Sequence, residues 1–165
     1  MPVIDVLKDP AAMTLTVLAE FDATLERAWQ LWADPRQLER WWGPPGYPAT
    51  MSRHGVEPGD RVTYYMTGPE GDRHHGWWRI LEADPPRRLV FEDGFADGEG
   101  NPDDSLPTMV ATVTLSDRDG RTHMEIATRY PTPEAMEQVL AMGMEEGIRA
   151  AVGQIDDLLA EVAST

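Results

Sequence analysis

Histidine combines titration near neutrality with metal binding, and the chain has four of them: His54, His74, His75 and His123. His74 and His75 are adjacent, so on a strand they point to opposite faces and cannot hold one ion together. No two histidines are separated by the one or three residues that suit a metal site on a strand or a helix. We therefore predict no metal site and expect these imidazoles at the surface or at strand edges.

The acidic segment 97–104 places oxygen-bearing side chains at alternate positions, as calcium-binding loops do. An EF-hand loop needs glycine at its sixth position and a bidentate glutamate at its twelfth. This segment has Pro102 and Thr108 at those positions. We interpret it as a mobile acidic loop between two strands, placed where it could gate a cavity.

Covalent catalysis has no support in the sequence. The nucleophile-elbow pattern Gly-x-Ser-x-Gly and a phosphate-cradling glycine loop are both absent, and cysteine is absent altogether. General acid-base chemistry is left, with four candidate proton carriers on strand positions: Tyr64, Arg79, Glu92 and Asp93. The commoner role of each is to face water or to be hydrogen-bonded within a strand, so we predict no catalytic residue.

A tandem pair of tryptophans, Trp41 and Trp42, stands directly before the helix-breaking residues Gly43 and Pro44. An exposed pair of indoles would lower solubility, so we expect at least one ring to be buried. The pair predicts a corner between a helix and a strand, with an aromatic wall. Nine methionines and six tryptophans in one chain also supply an adaptable lining for a cavity.

The order of elements follows from the spacing of apolar residues. Alternation in the segment 13–19 predicts a half-buried strand. Asp22 and Thr24 can cap a first short helix, and a second begins at Asp34-Pro35 and ends at the tandem tryptophans. Between residues 50 and 130 the period is two, with turn signals between the runs, which predicts a meander of antiparallel strands.

A long helix is predicted at the end of the chain. Thr132 is its N-cap and Pro133 its first residue, and an apolar stripe runs from Met136 to Val162. Gly143 and Gly147 interrupt it at a cost of about 1 kcal/mol each relative to alanine. We expect these glycines to allow close packing or to leave space beneath the helix.

Length and charge limit the class of protein. With 165 residues the chain is expected to form one domain, 1–165, with its core at about 12–162. The formal net charge of -15 argues against nucleic acid and anionic membranes as partners. The start of the chain is not typical of a secretory signal, and no stretch is apolar enough to span a membrane. We expect a soluble cytoplasmic protein.

Several short motifs, in this order and over nearly the whole chain, resemble the helix-grip or START-like superfamily, also called SRPBCC. Within it they resemble the branch named after the activator of the ninety-kilodalton heat-shock protein's ATPase. The motifs are Phe21-Asp22-Ala23, Trp29 with Asp34-Pro35 and Leu38, Trp41-Trp42-Gly43-Pro44, Pro58-Gly59-Asp60-Arg61, residues 66–71, Pro85-Pro86 with Leu89-Val90-Phe91, residues 97–102, and Gly120-Arg121-Thr122. Asp60 and Ile148 replace a frequent glycine and a common tryptophan, which bears on the shape of a cavity.

The resemblance implies an α+β helix-grip fold. Its curved antiparallel sheet of about six or seven strands would surround a long C-terminal helix, with two short helices after the first strand. An apolar cavity would lie between the sheet and that helix. We expect twelve residues to line it: Trp41, Trp42, Tyr64, Met66, Trp78, Phe91, Phe95, Met109, Ala111, Gly143, Met144 and Gly147. The sequence leaves open whether Trp77 or Trp78 faces the cavity, since adjacent strand residues face opposite ways.

Three functions from different classes follow. The first is binding of a small hydrophobic or aromatic molecule, without a cofactor and without defined catalysis, in a stress- or chaperone-related role. The second is a cyclase-like or hydrolase-like enzyme, which requires shifted ionisable groups inside the cavity. The third is a homodimeric, co-chaperone-like interaction module, which requires an exposed apolar patch.

Overall fold

The computed structural model describes residues 3–163, so both ends of the expected domain 1–165 extend beyond the described part. The elements are β1 (Val3–Asp9), β2 (Thr14–Phe21), α1 (Leu25–Ala33), α2 (Pro35–Trp41), β3 (Ala49–Arg53), β4 (Arg61–Thr67), β5 (Arg73–Asp84), β6 (Arg88–Phe95), β7 (Met109–Arg118), β8 (Arg121–Arg129), α3 (Pro133–Ala141), α4 (Met144–Val152) and α5 (Ile155–Ala163).

The eight strands form one curved antiparallel sheet in the order β1-β2-β8-β7-β6-β5-β4-β3. Strands β3 to β8 are a meander, and β2 pairs with β8, so that β1 and β3 are the two edges. The helices α1 and α2 connect β2 to β3. This confirms the predicted α+β helix-grip fold, with eight strands in place of about six or seven.

The strand that the sequence prediction omitted is β1, Val3–Asp9. Its residues from Asp5 to Asp9 are exposed or half-buried, so the alternation of apolar and polar residues is weak there. Charged side chains such as Lys8 are typical of an edge strand, where they discourage pairing with other chains. Strands β2, β4 and β7 bury alternate residues, as in β2, where Leu15, Val17, Ala19 and Phe21 face the core.

The two short helices begin where the sequence predicts. The Thr24 side chain accepts a hydrogen bond from the Arg27 N–H at 3.2 Å, and the Asp34 side chain accepts one from the Arg36 N–H at 2.9 Å. Pro35 occupies the first turn of α2. Helix α1 buries one face against the sheet, and α2 ends at the tandem tryptophans.

The C-terminal helix is interrupted twice, which corrects the expectation of one continuous helix. Thr132 caps α3 as predicted, accepting from the Ala135 N–H at 3.0 Å. At Gly143 the backbone is left-handed, with φ of 90°, and this ends α3 and redirects the chain into α4. A second interruption at Gly153 and Gln154 separates α4 from α5. The expected apolar stripe nevertheless persists across the breaks, although the side chain of Val162 lies outside the described residues.

Two apolar clusters fill the concave side of the sheet. The larger one joins α1, α2 and α5 to the sheet and contains five of the tryptophans. The smaller one lies under α3 and contains Leu15, Met109, Tyr130, Met136 and Val139. Within residues 3–163 no helix is both long and apolar enough to cross a membrane.

Candidate ligand-binding cavity

A cavity of about 260 Å³ lies between the sheet and the interrupted helices α3 and α4. Its floor comes from strands β4 to β7, its roof from α3 and α4, and one side from the segment after α2. The residues that line it are Trp42, Pro44, Tyr64, Met66, His74, His75, Gly76, Asp93, Gly94, Phe95, Met109, Val139, Met142, Gly143, Met144, Gly147 and Ile148.

The structure brings together most of the residues that the sequence assigned to the cavity wall. Those that line it are Trp42, Tyr64, Met66, Phe95, Met109, Gly143, Met144 and Gly147. Both helix glycines leave space, because a side-chain carbon added at either would meet nothing within 4 Å. The role of these residues in holding a ligand stays a prediction.

Trp41, Trp78, Phe91 and Ala111 do not line the cavity, contrary to expectation. Their side chains lie deeper, in the apolar core. The indole N–H of Trp41 donates to the Leu31 carbonyl at 2.9 Å, which turns that ring towards α1. Ala111 pairs with Phe91 across the sheet and is too short to reach beyond it.

These deeper side chains support the wall from behind. The rings of Trp78 and Phe91 stack with centroids 4.1 Å apart. Trp78 also meets Trp42 edge-on at 4.8 Å, and Trp41 meets Trp42 edge-on at 5.6 Å. Trp42 is therefore the only member of the tandem pair at the cavity, and its orientation is fixed by the aromatic side chains that surround it.

The question of Trp77 and Trp78 is settled by the register of the strands. Trp78 points to the concave side and packs in the core. Trp77 points the other way and covers Gly94, where an added side-chain carbon would lie 2.6 Å from the Trp77 indole nitrogen. Neither ring lines the cavity.

Tyr64 owes its position to the glycine opposite it. Tyr64 pairs with Gly76 on β5, and a side-chain carbon added at Gly76 would lie 2.4 Å from the Tyr64 hydroxyl oxygen. A larger residue at position 76 would displace the phenol from the cavity. The sequence carried this signal only as a glycine within a predicted strand.

Asp93 contributes a carboxyl group to an otherwise largely apolar wall. Trp78 and Met109 are its partners on the two neighbouring strands, while Phe91 and Phe95 share its face of β6. The side chain is half-buried and lines the cavity. Burial raises the pKa of Asp93 to about 7, and the approaching indole N–H of Trp78 opposes that shift.

Two tyrosine hydroxyls accompany Asp93. Burial, and then the charge of Asp93, raise the pKa of Tyr64 and of Tyr130 well above the usual tyrosine value. Both therefore keep their protons at neutral pH, and the Tyr130 O–H donates to the Met144 sulfur at 2.9 Å. The indole N–H groups of Trp42 and Trp78 approach the Tyr64 hydroxyl without forming an aligned hydrogen bond.

The other candidate proton carriers lie elsewhere. Arg79 and Glu92 face each other across β5 and β6 at 3.8 Å, and neither lines the cavity. The sequence distinguishes Asp93 from Glu92, because Asp93 lies an even number of positions from Leu89, Phe91 and Phe95 and therefore faces the same side of the strand.

Two of the four histidines lie at the cavity. His74 and His75 line the cavity, and His74 lies 2.6 Å from the Asp72 carboxylate. The His54 Nε2 lies 2.9 Å from the Trp32 carbonyl oxygen, which it meets as a donor. Burial lowers the pKa of His54, against the opposing effect of that hydrogen bond.

The acidic loop folds on itself. The Asp97 carboxylate accepts hydrogen bonds from the Asn101 N–H at 3.0 Å and the Glu99 N–H at 2.9 Å, and these lower its pKa. In the part of the chain that the structure describes, no group of three or more histidine, cysteine, aspartate or glutamate side chains is placed to hold a metal ion.

A curved antiparallel sheet closed by helices over an apolar cavity defines a START-like, helix-grip domain. The chain belongs to the Activator of Hsp90 ATPase homolog 1-like family, whose model matches residues 22–160. No curated protein matches the sequence.

Solved structures of similar bacterial proteins agree with this assignment. Protein Ms6760 from Mycobacterium smegmatis is 48% identical over 96% of this chain and 97% of that one, with a TM-score of 0.89. A protein from Arthrobacter aurescens is 47% identical over 96% of this chain and 92% of that one, with a TM-score of 0.92. The AHSA1 protein from Silicibacter pomeroyi, 18% identical over 89% of this chain and 97% of that one, shows the same fold at a TM-score of 0.73.

Proposed function

We propose that this protein binds a small apolar or aromatic molecule in the cavity between the sheet and helices α3 and α4. The observation that carries the proposal is the wall itself, where Trp42, Phe95, Met109 and Met144 surround a space of about 260 Å³. Methionine and aromatic side chains adapt to ligands of different shapes. The family fold is known to bind hydrophobic ligands, which supports the proposal.

The size of the space indicates the size of the ligand. A space of about 260 Å³ lies just below the range of about 300–1,000 Å³ that is typical of small-molecule sites. We therefore expect a compact ligand, such as a two-ring aromatic compound.

Native mass spectrometry of the purified protein, with organic extraction, tests the proposal. We expect a co-purified apolar compound, or stoichiometric binding of added naphthylmethanol. The control is Gly147→Leu, because position 147 lines the cavity and an added side chain there enters open space. Equal binding by the wild-type and Gly147→Leu proteins would exclude the cavity as the site.

A second function, acid-base catalysis, is favoured by one observation. Asp93 and Tyr64 both line the cavity, and burial brings the pKa of Asp93 to about 7, where a carboxyl group can both take up and return a proton. Compounds extracted from the wild-type protein and from Asp93→Asn discriminate between the functions. A binder carries the unconverted molecule in the wild type, whatever its occupancy in Asp93→Asn, whereas an enzyme carries a converted molecule in the wild type and only the unconverted one in Asp93→Asn.

Homodimerisation, a chaperone partner and a cytoplasmic location stay predictions of the sequence. The exposed large apolar side chains among the described residues lie on different elements: Leu7, Tyr47, Leu81, Val110 and Met142. Of these, Met142 belongs to the cavity wall. We therefore place the proposed function in the cavity and not on the outer surface.

A further inference from the structure

We propose that the cavity selects apolar molecules that carry a protonated nitrogen, and that Asp93 is the residue that binds this group. The inference rests on the proposed function, since it names the chemical class of ligand for the same cavity. It assigns Asp93 the role of specificity-determining residue.

The first argument is the absence of a positive partner for this carboxylate. None of the described residues that line the cavity is lysine or arginine. The cross-strand neighbours of Asp93, Trp78 and Met109, surround the carboxylate with apolar side chains. The indole N–H of Trp78 approaches the carboxylate but makes no aligned hydrogen bond. An ionised carboxylate in such surroundings is costly until a cation or strong donor joins it.

The second argument is the capacity of the wall to hold a cation. The Asp93 carboxylate can accept several hydrogen bonds, and an alkylammonium group donates up to three. Trp42, Tyr64 and Phe95 also line the cavity, and aromatic faces attract cations. Tyr64 keeps its proton at neutral pH, so it does not form a phenolate that would compete with Asp93 for the positively charged group of the ligand.

The charged and titratable groups around Asp93 do not replace the missing cation. Tyr64 faces it from β4, Tyr130 from the end of β8, and the histidines His74 and His75 line the cavity from β5. On α4, Glu145 lies near Tyr130, and Lys8 and Arg149 are its ion-pair partners at 2.9 and 3.8 Å. The net charge of -15 further favours cations over anions.

Protonation of Asp93 gives the inference a pH signature. Burial raises the pKa of Asp93 to about 7, and a bound ammonium group stabilises the charged form. A ligand that needs the carboxylate should therefore bind more tightly as the pH rises through 7. From about pH 6 to about pH 8 the ionised fraction rises roughly tenfold, and the affinity should rise by about the same factor.

Three probes of matched size test the inference by isothermal titration calorimetry. Naphthylmethylamine carries a cation that stays protonated over this pH range, naphthylmethanol a neutral hydroxyl and naphthoate an anion. At about pH 8 we expect the amine to bind roughly tenfold to a hundredfold more tightly than the alcohol, as charge-assisted hydrogen bonds predict. Naphthoate should bind more weakly than the alcohol.

Two variants assign the effect to one side chain. Asp93→Asn should lose the preference for the amine and keep the affinity for the alcohol. Glu92→Gln is the matched control, because Glu92 is the adjacent residue and pairs with Arg79 outside the cavity. It should bind all three probes as the wild type does. A pH dependence that persists in Asp93→Asn would show that the effect does not come from this carboxyl group, and thermal unfolding curves show that each variant is folded.

The outcomes separate this inference from the proposed function. Amine-selective binding that disappears in Asp93→Asn supports both. Binding of the alcohol without a preference for the amine, or a preference that persists in Asp93→Asn, overturns the inference and keeps the proposed function. If none of the three probes binds to the wild-type protein, the proposed function fails and the inference fails with it.

Discussion

Asp93 is a residue whose burial costs stability and whose proposed role is to bind a ligand. Its carboxyl group stands between Trp78 and Met109 on the concave face of the sheet, where water cannot fully solvate its charge. An apolar residue in the same place would fit the core better. The ordinary reason to keep a carboxyl group in such a place is that it contacts a ligand or a reacting group.

The pH dependence of stability tests this burial directly. The pKa of Asp93 in the folded protein, about 7, is above its ordinary value of 3.8. The stability that the protonated carboxyl group contributes is therefore fully present below pH 3.8 and is lost as the pH rises through 7. The loss has a limiting slope of ~1.4 kcal/mol per pH unit within that window. In urea unfolding at about pH 5 and pH 8, Asp93→Asn should lack this contribution. Glu92→Gln should retain it, and identical pH profiles for all three proteins would contradict the burial.

Gly43, in the corner after the tandem tryptophans, is expected to tolerate no side chain. A side-chain carbon there would lie 2.0 Å from the Tyr47 carbonyl oxygen and 2.9 Å from the Ala49 nitrogen, and both are backbone atoms. Gly43→Ala should cost about 2–4 kcal/mol in the free energy of unfolding. Gly98→Ala is the control, since nothing lies within 4 Å of an added carbon there. Equal stability of the two variants would show that the corner can relax.

At the scale of elements, the interrupted helix is the part that makes room for the cavity. The left-handed Gly143 ends α3, and α4 then continues with Gly147 facing open space. The continuation of the chain is held by Gln154, whose side-chain N–H donates to the Gly43 carbonyl at 2.7 Å. The second break, between α4 and α5, and the tandem-tryptophan corner are thus fixed to each other.

The two helix glycines should respond oppositely to alanine. Gly147→Ala lies within α4 and removes the cost of a helical glycine, so it should stabilise the protein by about 1 kcal/mol. Gly143→Ala forces a side chain into the left-handed region at φ of 90° and should destabilise it by roughly 1–2 kcal/mol. Urea unfolding measures both. Stabilisation by Gly143→Ala would mean that the break between α3 and α4 is not required.

The predictability of the fold also varies by element. Period-two alternation and helix caps are local signals, and they predicted the inner strands and both short helices. Strand β1 was missed because it is mostly exposed, and the break at Gly143 was missed because an apolar stripe does not report the backbone conformation. Prediction of the cavity wall failed at Trp78 and Phe91 for a different reason. The alternation of residues along a strand identifies the inner face of the sheet. How deeply a side chain lies below the cavity depends instead on which aromatic rings pack over it.

At the scale of the whole molecule, the acidic charge is a cost of the folded state. A net charge of -15 on a chain of 165 residues produces self-repulsion, which salt screens. Raising sodium chloride from low concentration to about 0.5 M should raise Tm by roughly 2–4 °C, as about 1 kcal/mol does for a protein of this size. Potassium chloride should act equally. A Tm that falls with both salts would show that ion pairs such as Lys8–Glu145 outweigh the repulsion.

The most direct test of ligand binding in this cavity is a titration followed by the methyl resonances of the methionines. Met66, Met109, Met142 and Met144 line the cavity, whereas Met51 and Met124 are buried elsewhere and serve as internal controls. With methyl-labelled protein and naphthylmethylamine, we predict saturable shifts of the four cavity methyls and none of the two controls. Shifts spread over all the methyls, or no shift at concentrations that saturate calorimetric binding, would contradict the account.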